Sequence, residues 1–343
     1  MKYVKLGNSG LKVSQICIGT WHLPLLPEKD EYGVYKVDKE TALKILKRAY
    51  DEGINFIDTA NRYHGATQKT PLTHVGFAER VVGEFLSHVD RESVVVSTKV
   101  RGQMATWVNG EGLSRKHIMW QVRESLRRLN TSYIDLYFLH WPDYDTPKLE
   151  TLRTLNNLVR NGLVYYLGIS NHPAHDIVEF MELADKHNLE KFTTIQERYN
   201  LLDREIEKDK LVVAKKYDLA LMAYSPLAEG FLTGKYVDFD KKTWKVETLT
   251  RGAIFDDIRN RYFNERNLKV LVGLYGFARE RGLSLSQLAI AWLLRRGEEL
   301  GVNIIPIVGV TRMEYLDDVL GSLNVNLSSD DMRRIDEILN GKI

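Results

Sequence analysis

Eight short apolar runs punctuate this chain: ICIGT, NFIDTA, VVVSTK, IDLYFLH, YYLGIS, FTTIQ, LALMAYS and NIIPIVG. Each has the length of a buried strand. Amphipathic segments fill the intervals. The stretch from Asp38 to Gly53 carries Ala42, Ile45, Leu46 and Ala49 at helical spacing, with an acidic start and a glycine stop. In SRKHIMWQVRESLRRLN, Ser114 reads as an N-cap, and Ile118, Val122, Ser125, Leu126 and Leu129 form one face. DTPKLETLRTLNNLVRNG and HPAHDIVEFMELADKHN fit the same template. Strand and helix in alternation demand parallel strands with helices outside. Eight such units predict an α/β fold, a closed (β/α)8 TIM barrel, with its site at the C-terminal strand ends. A doubly wound dinucleotide-binding sheet would need G-x-G-x-x-G after the first strand. CIGTWHLPLL stands there instead, and the motif occurs nowhere.

Three features decorate this repeat. YVKLGNSGLKV reads as an N-terminal β-hairpin that plugs the barrel. The interval from Pro226 to Val302 breaks the rhythm with a long, polar, aromatic-rich loop and two helices. A loop of that length in a compact domain is usually functional. SSDDMRRIDEILN reads as a capped helix after the last strand. A length of 343 residues would suit two average domains, but a barrel uses it as one unit, 1–343.

Composition narrows the function. A net charge of +2 without a long basic run speaks against nucleic acid; Lys241, Lys242 and Lys245 read as solvated surface. The single cysteine, Cys17, can form neither an internal disulfide nor a cysteine zinc site, and reads as a buried core residue. Nine histidines show no ligand spacing on one helix face, so no metal site is expected. No run of about eighteen apolar residues suggests a membrane span. The N-terminus lacks a signal peptide's apolar segment, and the cytoplasm is the expected location.

If the barrel forms, Asp58 ends the second strand, Lys99 the third and His140 the fourth, with Tyr63 in the loop after the second. Each alone has an ordinary explanation: a cap, a solvated amine, a satisfied imidazole, a loop phenol. Together they bring an acid, a phenol, an amine and an imidazole to neighbouring strand ends. A free phenol has a pKa of about 10, and a nearby ammonium lowers it. Lys99 is therefore expected to tune Tyr63 as a general acid, with Asp58 holding Lys99 and His140 bonding a substrate oxygen. A redox cofactor is the candidate for the missing reductant.

These residues, with GTW, INFIDTANRY, STK, LSRKHI, SLRRLNTSYIDLYFLHWPD, YLGISNH, QERYNLL, AYSPLAEGFLTGKY and PIVGVT, resemble the aldo-keto reductase family across nearly the whole chain. LSRKHI and SPLAEGFLTGKY are similar to its microbial branches and the related potassium-channel β-subunits. The resemblance implies a catalytic tetrad of Asp58, Tyr63, Lys99 and His140, and a nicotinamide cofactor across the barrel mouth. Ser170, Asn171 and Gln196 would bond the nicotinamide amide, and Tyr224 would stack on its ring. Gly19, Thr20 and Trp21 would meet the cofactor after the first strand. Ser225, Pro226, Leu227 and Gly230 would lie along the pyrophosphate, with Lys235 and Arg251 on its charge. Residues 226–265 thereby become a cofactor-clasping loop. Gly309, Thr311, Arg312, Tyr315 and Asp318 would hold the adenosine end.

Two departures matter. Tyr315 stands where many members place Arg or Gln, and Val319 where Asn is usual; Arg312 is the substitute phosphate ligand, which favours NADP(H) over NAD(H). The loop after Tyr63, HGATQKTPLTHVGFAERVVGEFL, is longer than the family's, with its helix expected near Val75. Trp21, His64 and Trp141 are the expected substrate-pocket residues, and His22, Trp107 and Pro142 are further candidates. The implied activity is reversible NAD(P)H-dependent reduction of small aldehydes or ketones, with Tyr63 as proton donor. The rival reading is a nicotinamide-binding, redox-sensing regulatory subunit; an inert scaffold would leave the cofactor-like residues without a purpose.

Overall fold

All eight apolar runs become strands of one closed parallel barrel in a computed structural model that describes residues 1–66, 68, 70–245, 252 and 255–341. They are β1 Cys17–Gly19, β2 Phe56–Asp58, β3 Val95–Val100, β4 Ile134–Leu139, β5 Val164–Ser170, β6 Phe192–Arg198, β7 Ala220–Tyr224 and β8 Ile304–Gly309. Spatial order follows chain order, and β8 closes on β1 through Gly309 opposite Gly19.

Side chains alternate across a strand, so every second residue faces the barrel interior. Cys17, Phe56, Val95, Leu136, Phe138, Ala220, Met222, Ile305 and Ile307 make that interior an apolar core. Leu6 and Val13 of the hairpin, Tyr3–Lys5 with Lys12–Ser14, join the same cluster, which places the hairpin as the barrel's plug. Its turn requires Gly7: φ is +57°, and a Cβ there would lie 2.0 Å from the Thr193 carbonyl oxygen.

The helices follow the periodic segments. Lys39–Asp51 is capped by Asp38, whose carboxylate accepts the Thr41 amide, and it buries the four apolar residues expected. Arg115–Leu129 is capped by Ser114 and additionally buries His117, Gln121 and Arg128; Leu126 is only partly buried. Phe77–Leu86 begins two residues after Val75. Its buried Glu79 accepts from Arg128 Nε at 2.5 Å and from Thr98 Oγ1 at 2.6 Å, which ties two helices to β3. Lys148–Arg160 and Ala174–His187 flank β5, and Ser329–Leu339 closes the chain with a capping box.

Three pieces depart from the expectation. Leu25–Lys29 and Tyr35–Val37 pair as an antiparallel ribbon after β1; its first strand is mostly exposed and contains Pro27, so no alternation announces it. Helix Lys210–Lys216 spans seven residues, too short to display a periodic face. The segment after β7 is not a bare loop. It holds a 3-10 turn at Ala228–Thr233, a short ladder between Val237–Asp238 and Thr243–Trp244, and helix Asp256–Tyr262. Its aromatic residues pack around Phe231, whose ring lies 4.5 Å from Tyr236 and 4.8 Å from both Tyr262 and Phe263.

Among the described residues, no helix is long and apolar enough to cross a membrane. The Glu79–Arg128 pair yields a stability prediction. Glu79→Gln leaves Arg128 buried without its carboxylate and should cost about 3 kcal/mol. Urea unfolding should show the midpoint falling at unchanged slope; an unchanged midpoint would contradict the assigned role.

Candidate active site

The inward alternation that builds the apolar core turns polar at the C-terminal strand ends. Asp58 follows Phe56, Lys99 follows Val95 and Ser97, and Gln196 follows Thr194. Lys99 is fully buried, and its ammonium donates to Asp58 Oδ2 at 2.6 Å and to the Thr59 carbonyl at 2.7 Å. Asp58 Oδ1 accepts from Ser97 Oγ at 2.6 Å and from Gln196 Nε2 at 3.0 Å. Thr20, also buried, donates its hydroxyl to the Asp58 carbonyl at 3.1 Å. A buried ammonium and carboxylate thus satisfy one another and fasten β2 to β3 and β6.

Tyr63 and His140 stand beside this pair. Their rings are 5.7 Å apart, and the Lys99 ammonium lies 4.8 Å from the Tyr63 ring centroid. Trp141 stacks on His140 at 3.7 Å. Burial, reinforced by Lys99's charge, pushes the His140 imidazole well below its usual range, so it is neutral near pH 7. Its Nδ1 is buried without a partner. The expected lowering of Tyr63 by Lys99 is not found. Burial raises the phenol well above its ordinary value, and the charges of Asp58 and Tyr224 act in the same direction. The physical reason is that desolvation of the buried phenol, with the Asp58 charge beside it, outweighs the nearby ammonium. Tyr63 is a protonated phenol at neutral pH.

A second polar group lines the β5–β7 side. Asn171, at φ +59°, donates to the His140 carbonyl at 2.9 Å and to Ser170 Oγ at 3.0 Å. Its Oδ1 accepts from the Tyr224 hydroxyl at 2.8 Å. Ser170 Oγ donates to the Gln196 carbonyl at 2.7 Å. Between these groups opens a cavity of about 460 Å³.

Most of the expected residues meet at this cavity. Gly19, Trp21, Asp58, Tyr63, His140, Trp141, Asn171, Gln196, Tyr224, Ser225, Pro226, Leu227, Gly230 and Gly309 line it. Lys99, Thr20 and Ser170 are buried behind its wall. Gly230 has φ +96°, and a Cβ there would lie 2.6 Å from Lys235 Cε, so the lysine side chain runs against the cavity's backbone. Thr311, Arg312, Tyr315 and Asp318 lie beyond the lining, after β8. Arg312 sits 5.9 Å from the Tyr315 ring, Asp318 accepts from Ser284 Oγ at 2.7 Å, and Val319 is buried. Arg251 lies outside the described residues.

His64 departs from its expected place. It is absent from the lining; its ring packs 5.1 Å from His74 and 5.5 Å from Phe77, and its Nδ1 accepts the Ala66 amide. The enlarged loop is bound instead to the ribbon after β1, through His74 Nε2 to Asp30 Oδ2 at 2.5 Å and through Gln68 to Gly33 and Tyr35. Trp107 packs on Trp120, away from the cavity. The lining also contains residues not singled out by number: Arg62, Arg198, Ile307 and Val308, with Glu229, Phe255, Asp257 and Ile258 from the expected clasping loop 226–265. Two had a sequence signal. Arg62 immediately precedes Tyr63, and Arg198 lies two residues beyond Gln196, on the same face of β6.

Among the described residues, no group of three or more His, Cys, Asp or Glu side chains could hold a metal ion. The fold is thus a closed barrel of eight parallel strands with a buried Asp–Lys pair at its mouth. Residues 15–340 match the sequence model of the Aldo/keto reductase family. The chain is 31% identical to a Saccharomyces cerevisiae protein provisionally assigned as an aryl-alcohol dehydrogenase, covering 98% of this chain and 96% of that one. It is 32% identical to an Alternaria alternata aldo-keto reductase, over 98% and 90% of the two chains. It is 34% identical to an Oryza sativa protein provisionally assigned as a voltage-gated potassium channel β subunit, over 95% and 92%. This chain belongs to the aldo/keto reductase family, a family of oxidoreductases that use nicotinamide cofactors.

The neutral state of His140 is measurable. At its ordinary pKa of about 6.5 an imidazole would be roughly three-quarters protonated at pH 6. Nitrogen-15 NMR of His140 at pH 6 should show a neutral ring; an imidazolium signal would contradict the burial argument.

Proposed function

We propose that this chain is a nicotinamide-dependent carbonyl reductase, converting small aldehydes or ketones to alcohols and back. The observation that carries this reading is the buried Lys99–Asp58 pair next to a protonated Tyr63 and a neutral His140 on one cavity. The cavity wall supports a nicotinamide cofactor: a Tyr224 ring held by Asn171, and a Gly230 backbone with Lys235 alongside. A reduced nicotinamide supplies hydride when bound.

The protein's own groups manage the oxygen. Tyr63 holds the proton that the oxygen receives as negative charge builds on it. His140, neutral, can donate one N–H to the same oxygen. Lys99, 4.8 Å from the phenol ring, stabilises the phenolate left after transfer, and Asp58 holds that ammonium in place. In the oxidative direction the same phenolate takes the proton back. Ser170, Asn171 and Gln196 position the cofactor amide. The described part of the loop 226–265 clasps the pyrophosphate with Lys235, and the chain acts as one barrel unit. Gly309, Thr311, Arg312, Tyr315 and Asp318 hold the adenosine end. Arg312 beside Tyr315 supports NADP(H) over NAD(H). The channel-subunit relative favours a second reading, a redox-sensing subunit, which turnover of aldehydes would displace.

Two experiments follow. Tyr63→Phe should lower kcat/KM for aldehyde reduction about 10²- to 10⁴-fold, with NADPH affinity by fluorescence titration little changed; wild-type turnover in the variant would refute the proton-donor role. Arg312→Ala should weaken NADPH about tenfold more than NADH, the scale of one charge-assisted contact. Equal loss for both cofactors would remove Arg312 from phosphate recognition.

A further inference from the structure

One cation at the cavity is not used by the chemistry above. Arg62 lines it beside Tyr63, His140, Trp21 and Trp141. Among the described residues its guanidinium makes one hydrogen bond, from Nη1 to the Gln103 carbonyl at 2.8 Å, and no carboxylate lies within 4 Å to pair with it. Glu111, the acid whose charge reaches Arg62, is bonded to Arg101 at 3.2 Å. Asp58, the acid at the cavity floor, is engaged by Lys99. Arg62 is half-buried, and burial lowers its pKa, yet a guanidinium remains charged at neutral pH.

A cation partly withdrawn from water without a counterion is a cost that a bound anion would remove. The side chain is also held in place. A Cβ on Gly102 would lie 3.3 Å from both Cγ and Cδ of Arg62, so the loop after β3 packs on its stem. The second arginine of the lining, Arg198, belongs to the other half of the mouth, where its guanidinium lies 5.7 Å from the Tyr224 ring. Arg62 therefore stands with the loops after β2 and β3, away from the β5–β7 wall. The lining that Arg62 shares with His140 includes two indoles: Trp141 stacks on the imidazole, and Trp21 is 43% exposed.

We propose that Arg62 makes the site selective for aldehydes and ketones that carry a carboxylate. The carbonyl lies at Tyr63 and His140, a flat apolar body rests on Trp21 and Trp141, and the guanidinium takes the carboxylate through two parallel hydrogen bonds. This rests on the carbonyl-reductase reading and adds the substrate's charge to it.

The test compares 4-carboxybenzaldehyde with its methyl ester, which has the same ring and carbonyl but no charge. The wild type should prefer the acid in kcat/KM by tenfold or more, the scale of a hydrogen bond to a charged group. Arg62→Met should reduce that acid-to-ester ratio at least tenfold, and Arg62→Lys should retain part of it. Because the readout is a ratio within one protein sample, a partly folded variant does not distort it. A second readout needs no turnover: quenching of tryptophan fluorescence in NADP⁺-saturated protein, giving the ratio of the two Kd values. Equal treatment of acid and ester by the wild type, or a ratio that survives in Arg62→Met, overturns the proposal while leaving the reductase reading intact if the ester is reduced. An Arg62-dependent Kd ratio with no NADPH consumption for either aldehyde supports the anion site and defeats the reductase reading.

Discussion

The burial of one ammonium governs the mouth of this barrel. Lys99 has no exposed side-chain surface, and removing such a charge from water is tolerable only with a partner and full hydrogen bonding. Asp58 and the Thr59 carbonyl provide both, and Ser97 and Gln196 satisfy the remaining carboxylate oxygen. Those contacts span β2, β3 and β6, so a charge requirement also sets strand positions. The protonation states around the pair follow. Burial, with the Asp58 charge, keeps the proton on Tyr63, while burial and the lysine charge keep His140 neutral.

Stability and chemistry occupy opposite ends of the same strands. Lower inward positions are apolar and sealed by Leu6 and Val13 of the hairpin. Outside, the Glu79–Arg128 pair and Thr98 bind two helices to β3 one residue from Lys99. The inward and outward faces of β3 therefore both end in buried charge. One face presents Lys99 to the cavity and the other anchors the strand that carries it.

Two segments beside the cavity touch each other. The ribbon after β1 and the enlarged loop after β2 are joined by Asp30 and His74, with Tyr32 edge-on to the His74 ring. This clasp draws His64 out of the cavity and leaves Arg62 beside Tyr63. A longer loop thus acts less by adding side chains to the pocket than by deciding which neighbours of Tyr63 reach it.

The alternation of apolar runs and amphipathic segments determined the barrel, because burying eight strands between helices admits few arrangements. Period-two alternation carries Asp58, Lys99, His140, Gln196 and Tyr224 to one mouth; the first three were readable from their places at strand ends, Gln196 and Tyr224 only through the family resemblance. Short or locally irregular pieces were not legible: the Leu25–Lys29 ribbon, helix Lys210–Lys216 and the aromatic core around Phe231 depend on contacts distant in sequence. Tertiary structure alone decided two functional matters. It set the protonation of Tyr63, since desolvation and charge pairing depend on surroundings rather than residue type. It also exchanged His64 for Arg62 at the cavity, because a loop's side-chain directions are settled by what the loop packs against.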